Sequence, residues 1–431
     1  MGRIGTIGRV ATGVVLASSL SGCWWGQTGF SAARTYDNPH ETRLTAATIG
    51  RLRLQWSTNR AIDRAGTLYA WNGRVLLIDG PRAVALDAAD GELAWESTLP
   101  TLHSTENVRG DPAVSGDVVL RPYYGVTQSC SGPIGCRYTS TGVVYAHSTG
   151  TGAEVPAEGI REWPADSLRG PDGVSAVGPR YALVEVRNPR RLFAYDLETG
   201  EGVYGPPPPG EGSTLPPPSL SLSYDAATGL AVRVRPHETD PQSAWLEAFS
   251  LASVGEVPQL TPLWTVATPL VPGDPPVATL VGDRVYVSAG NHMWARDAAT
   301  GDVAWDVGTV GYIEQLAVRG DTALVASGGT LAAYSDCGTT GCPPTWSTPG
   351  VGPIRNVAIA GDLVYVQSEG PLFTTRMDIY RVAGCGAATC AALRTFTIPA
   401  APVDMVVSGG RLIVVAVPFD PAGDRIFAYG V

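Results

Sequence analysis

Apolar and polar positions alternate along this chain in short runs of four to seven residues, and the runs are punctuated by Gly, Asp and Asn. The stretch Gly282 to Trp305 shows the unit most fully. It holds a Gly282-Asp283 turn, an alternating run through Val285 and Val287, a second run ending at Ala295, an Asp297-x-x-Thr300-Gly301 turn and a closing Trp305. Period-two alternation bounded by such turns predicts antiparallel strands.

The unit recurs. A Gly-containing turn between an opening pair of strands is read at Asn72-Gly73, Gly116-Asp117, Gly178-Pro179, Thr228-Gly229, Gly282-Asp283, Gly320-Asp321, Gly361-Asp362 and Gly409-Gly410. A closing-strand position interleaves with it at Trp56, Trp95, Val155, Tyr204, Trp264, Trp305, Trp346 and Arg394. A period near 40 to 50 residues marks a propeller or a solenoid. The two series are offset at the ends: Leu52 to Ser57 is a closing strand with no strands before it, whereas Phe427 to Val431 ends a unit that lacks its fourth strand. An N-terminal strand that completes the last unit leaves no open sheet edge. The expectation is therefore an all-β chain: an eight-bladed β-propeller of four-stranded antiparallel blades, latched by an N-terminal strand. A solenoid would need capping ends, and neither end reads as a cap.

Composition supports many short strands, with 52 Gly, 35 Pro and only 16% charged residues. All 30 basic residues are Arg, so neither a lysine Schiff base nor a P-loop lysine is available. The net charge is −10, and an acidic surface repels nucleic acid.

The first residues read as an address. Arg3 and Arg9 make a basic region, Val10 to Leu20 an apolar one too short to span a bilayer well, and Leu20-Ser21-Gly22-Cys23 follows. These four residues match the lipobox of bacterial lipoproteins. That resemblance implies cleavage after Gly22, lipidation of Cys23 and an anchor on the extracytoplasmic face of the cell membrane; a plain secretory leader is the alternative. The domain reading is a signal peptide at 1–22, a tether at 23–35 and a propeller at 36–431. Of seven cysteines, Cys23 apart, six form close pairs: Cys130/Cys136, Cys337/Cys342 and Cys385/Cys390. In an exported chain these are expected as local disulfides. No ligand spacing among the Cys and His residues suggests a metal.

Ala295-x-Asp297-x-x-Thr300-Gly301-x-x-x-Trp305 resembles the tryptophan motif of pyrroloquinoline-quinone (PQQ) repeat propellers, with near copies at Ala85-x-Asp87-x-x-Asp90-Gly91-x-x-x-Trp95 and Ala194-x-Asp196-x-x-Thr199-Gly200-x-x-x-Tyr204. The resemblance runs from about Asn38 to Val431, and its opening looks like that of exported actinobacterial members. It implies that each Trp packs between blades and that the Asp and Gly shape the turn from third to fourth strand. In the last two units before the terminal one, the turn is replaced by the Cys337/Cys342 and Cys385/Cys390 brackets. The Asp residues read as turn formers, and no arginine is read at a fixed blade position.

Two functions follow. One is a non-catalytic, monomeric scaffold that binds a partner protein or glycan, similar to the propeller lipoproteins that serve outer-membrane assembly in Gram-negative bacteria, with no cofactor and no metal. The alternative is a PQQ- and calcium-dependent dehydrogenase of alcohols or sugars. Members of that enzyme family carry a disulfide between adjacent cysteines and long insertions, and this chain has neither. No Gly-x-Ser-x-Gly, His-Glu-x-x-His or P-loop motif occurs.

Overall fold

In the computed structural model of the chain the described residues are 36–431 apart from 60–66, 80–81, 99–112, 116–117, 131–135, 154–170, 178–179, 188–189, 197–201, 206–219, 238, 255–256, 272–275, 310, 336, 339–340, 351 and 418–424. Among them there is no α-helix, and the strands form eight sheets. This is compatible with the expected blade count. In chain order the blades run 67–98, 113–148, 171–204, 221–269, 277–308, 313–347 and 354–398, and the eighth combines 401–430 with Arg53–Asn59. Seven have four or more strands; the second has three among the described residues.

Neighbouring strands are antiparallel hairpins, so every first-to-second-strand turn falls at one end of the ring. The second-to-third-strand turns and the links between blades fall at the other. The Gly turns read from the sequence all separate first and second strands. The first strand of blade 8 (Ala401–Ser408) lies against the first strand of blade 1 (Thr67–Trp71), which closes the ring. Both faces of a blade are covered by its neighbours. Second strands therefore read as nearly continuous apolar runs, as in Val364-Tyr365-Val366, all fully buried. The contacts between blades are mixed clusters such as Leu183 and Leu192 of blade 3 with Leu222 and Ala231 of blade 4.

The latch is present. Arg53–Asn59 pairs antiparallel with Arg425–Gly430, with Trp56 opposite Ala428 and Asn59 opposite Arg425. A strand that the sequence reading missed precedes it. Asp37–Asn38 runs parallel to the end of Ile354–Ala360, with Asp37 opposite Ile359 and Asn38 opposite Ala360, as a fifth strand on the inner edge of blade 7. The closing strand at Trp56 is thus the second tie made by the N-terminal segment.

Polar anchors hold this segment at the end of the ring that carries the first-to-second-strand turns. Arg319 of blade 6 clamps the Asp37 carboxylate through two nitrogens. The Asn38 amide donates to the Val407 carbonyl of blade 8 at 2.8 Å. Glu41 accepts from the Gly410 amide at 2.9 Å, and Arg394 donates to the Leu52 carbonyl at 2.6 Å. Burial pushes the Asp37 carboxyl up, against the lowering effect of Arg319.

Candidate functional site

The repeat motif builds joints between blades. In the outer strand a β-bulge precedes the Trp, between Ala85 and Leu86 opposite Trp95 and between Ala295 and Arg296 opposite Trp305. An extra residue at this point turns the ring toward the next blade. There the indole N–H donates to a turn carbonyl: Trp56 to Ala88 at 3.1 Å, Trp95 to Thr149 at 2.8 Å, Trp264 to Ala298 at 2.9 Å and Trp346 to Val382 at 3.0 Å. The ring lies over a glycine. A Cβ on Gly91 would sit 2.5 Å from the Trp56 ring, and one on Gly301 2.8 Å from the Trp264 ring. Both glycines have positive φ, so the position is restricted twice over. Trp305 is buried in a cluster with Cys337 of blade 6, and Tyr204 meets Phe193 edge-on at 4.9 Å.

The repeat Asp shapes the turn. Asp297 accepts from the Ala299 and Thr300 amides at 2.9 and 3.0 Å, and Asp87 from Ala89 at 2.8 Å. These amides hold both carboxyls below the usual carboxylate range. The reading that no arginine recurs is corrected by the structure. Arg74 pairs with Asp87, Arg180 with Asp196 at 2.9 Å and Arg284 with Asp297 at 3.4 Å. In each case the arginine lies at the start of the second strand, directly or one residue from opposite the repeat Asp in the third. The signal was the Arg that follows the two-residue turn in Asn72-Gly73-Arg74, Gly178-Pro179-Arg180 and Gly282-Asp283-Arg284.

Cys337–Cys342 and Cys385–Cys390 are disulfides, with Cα atoms 5.0 and 5.6 Å apart, at the turns where the Asp-x-x-Thr-Gly pattern is missing. Cys130 and Cys136 are register partners at the tip of the long hairpin Val118–Cys130/Cys136–Ser148. The hairpin through Tyr124 and Val143 is therefore an extension of blade strands. The side chains of Cys130 and Cys136 lie outside the described residues, as do Cys23, Val155 and Gly200.

At the opposite end of the ring, polar side chains on successive first strands bind the backbone of the next blade. Glu314 accepts from the Ile354 amide at 2.9 Å, Asn356 donates to the Val403 carbonyl at 3.1 Å and Asp404 accepts from the Leu68 amide at 3.3 Å. Asp404 also accepts from Met405 at 2.7 Å, and burial pushes its carboxyl up to about 7. Deep between blades 3 and 4, Glu247 receives Arg233 Nε at 2.8 Å and Arg235 Nε at 3.0 Å, with Glu185 3.8 Å from Arg233. All four residues are buried.

A calcium-bound quinone needs convergent carboxylate or amide oxygens for the cation and free cationic groups for the carboxylates of the cofactor. Among the described residues no three His, Cys, Asp or Glu side chains gather to hold a metal. Asp404 already receives backbone amides, and the repeat arginines lie in ion pairs. No described helix is long and apolar enough to cross a membrane.

A family model described as outer membrane protein assembly factor BamB matches residues 32–204. No curated protein matches the chain. Among solved structures, BamB from Moraxella catarrhalis superposes with a TM-score of 0.53 at 14% identity, covering 88% of this chain and 100% of that one. A europium-containing methanol dehydrogenase gives a TM-score of 0.52 at 12% identity, covering 95% of this chain and 98% of that one. Identities this low carry the fold alone. With the tryptophan repeat and the ring of blades on one chain, and the family model over residues 32–204, this chain is similar to PQQ-like β-propeller repeat proteins and shares their fold.

Proposed function

We propose that this protein is an extracytoplasmic lipoprotein, anchored through Cys23, whose propeller is a non-catalytic scaffold for a partner protein. One observation carries the reading. Among the described residues, Asn356 and Asp404 on the first strands of blades 7 and 8 are spent on backbone groups of the adjoining blade, so they join blades instead of presenting reactive groups to a substrate. The likeness to an outer membrane assembly factor supports the same reading. So does the lipobox at Leu20 to Cys23, which would keep the ring at a membrane surface.

The test has two arms. The intact lipoprotein, cross-linked in its own membranes and purified, should bring down a defined protein partner in stoichiometric amount. Purified protein titrated with PQQ and Ca²⁺ should neither bind them tightly nor oxidise alcohols or sugars with an artificial electron acceptor. Turnover in that assay would overturn the scaffold reading in favour of the dehydrogenase.

A further inference from the structure

Tyr312, Leu372 and Phe373 are the most exposed large apolar side chains among the described residues, at 64%, 85% and 69%. Tyr312 precedes the first strand of blade 6, and Leu372 and Phe373 form the turn between the second and third strands of blade 7. The antiparallel order of each blade sets all three at the same end of the ring, opposite the end occupied by Asp37 to Leu44.

Between them, glycines of blades 6 and 7 bring backbone close to backbone. A Cβ on Gly311 would lie 3.4 Å from Gly328 Cα, one on Gly329 2.7 Å from the Gly352 carbonyl oxygen, and one on Gly352 2.7 Å from the Glu369 carbonyl oxygen. Loops of blades 6 and 7 thus meet backbone to backbone, along a strip that starts beside Tyr312 and ends beside Leu372.

The turn at the far end has the wrong residues for its shape. Leu372 (φ 55°) and Phe373 (φ 57°) are both left-handed, and the Thr374 amide bonds the Pro371 carbonyl across them. This mirror-image turn ordinarily takes Asn-Gly, and branched or bulky side chains adopt it only at a cost. Strain of this kind, combined with the exposure of the two side chains, is a mark of a functional surface.

Charge supplies the remaining constraint. The strip is flanked by Glu314, Arg355 and Glu369. Arg355 Nε pairs with Glu369 at 2.8 Å, and Glu314 feels both, so one carboxylate is in surplus.

We infer that this strip is the docking site for an extended apolar segment of a partner protein that carries a Lys or Arg to meet the surplus carboxylate. The inference rests on the scaffold reading and names its working face. An anionic bilayer does not suit a chain of net charge −10. A sugar would stack on aromatic faces, whereas the most exposed post here is the aliphatic Leu372.

The experiment pans the folded protein against a displayed library of random short peptides and then measures binding of the enriched sequences as synthetic peptides. Apolar runs beside a Lys or Arg should be enriched. Their affinity should fall tenfold or more in the double variant Leu372→Asn/Phe373→Gly and in Tyr312→Ser, and Glu314→Gln should remove much of the salt dependence. The Asn-Gly double variant suits the turn better and should melt at a higher temperature than the parent, so lost binding cannot be lost folding. Peptides that bind this variant as well as the parent would overturn the proposal. So would binding of phosphatidylglycerol vesicles or soluble oligosaccharides that the same variants abolish. A membrane partner that still binds the double variant would leave the scaffold reading standing and place its site elsewhere.

Discussion

The Trp56 indole N–H reaches the Ala88 carbonyl at 3.1 Å while its ring rests on Gly91, which fastens the N-terminal strand, already part of blade 8, onto blade 1. The same joint recurs at Trp95, Trp264 and Trp346, with Gly152, Gly301 and Gly384 beneath the rings. What the repeat encodes is therefore a contact between units as much as a unit.

Substituting the glycine under the ring tests this. Gly91→Ala forces a Cβ against Trp56 in a left-handed backbone, and should destabilise the fold by about 2–4 kcal/mol. Gly73 also has positive φ but nothing within 4 Å of its would-be Cβ, so Gly73→Ala should cost only about 1–2 kcal/mol. Denaturant melts of the two variants measure the difference, and equal effects would remove the joint from the account.

The buried charges between blades 3 and 4 make a second test. Glu247→Gln leaves Arg233 and Arg235 without their shared carboxylate, and unpaired buried charge costs about 3–5 kcal/mol. Replacing Arg233, Arg235, Glu247 and Glu185 together with apolar residues of similar volume should cost far less than that single change, because no charge is left stranded. The same denaturant melts compare the two.

Asp404 ties stability to pH. Its folded carboxyl titrates near 7 because burial outweighs the two backbone amides it accepts, whereas in the unfolded chain it titrates near its ordinary value of about 4. The folded state therefore holds a proton more tightly. The stability linked to that proton is full below about pH 4 and is lost as pH rises toward 7, on the order of 2–4 kcal/mol. Asp404→Asn has no proton to lose and should lack this slope. Thermal melts from pH 4 to 8 decide it; parallel curves would show that the carboxyl does not titrate in this range.

The anchor is tested in cells. Mass spectrometry of membrane-extracted protein should find a lipidated N-terminal Cys23, and Cys23→Ser should move the protein out of the membrane fraction. An unchanged distribution would contradict the assignment.

Turn chemistry made the ring legible, because Gly73, Gly282, Gly361 and Asp297 impose their geometry locally. The latch was legible from an unmatched strand at each end. Burial was harder. Ala231-Val-Arg-Val-Arg235 alternates as a half-wet strand does, yet both faces are dry, since a neighbouring blade covers each one and Arg233 and Arg235 are 1% exposed. Alternation reports which residues share a face and is silent on what lies against it. Asp37–Asn38 is too short to leave a pattern, and Pro371-Leu372-Phe373-Thr374 contains none of the residues that ordinarily announce a left-handed turn.

The bond from Asn38 to Val407 joins residues 369 apart. Translation delivers Asn38 first and Val407 nearly last, so the N-terminal segment must wait, with its partner strands missing, until almost the whole polypeptide has been made. Contacts of such sequence separation form slowly, and the waiting chain exposes strand edges that invite pairing with other molecules. Closure thereby acts as a check on completeness: a chain truncated before its eighth blade lacks Val407 for the Asn38 amide, Gly410 for the Glu41 carboxylate and Arg425–Gly430 for the strand at Trp56, and remains an open sheet stack marked for proteolysis instead of a finished ring.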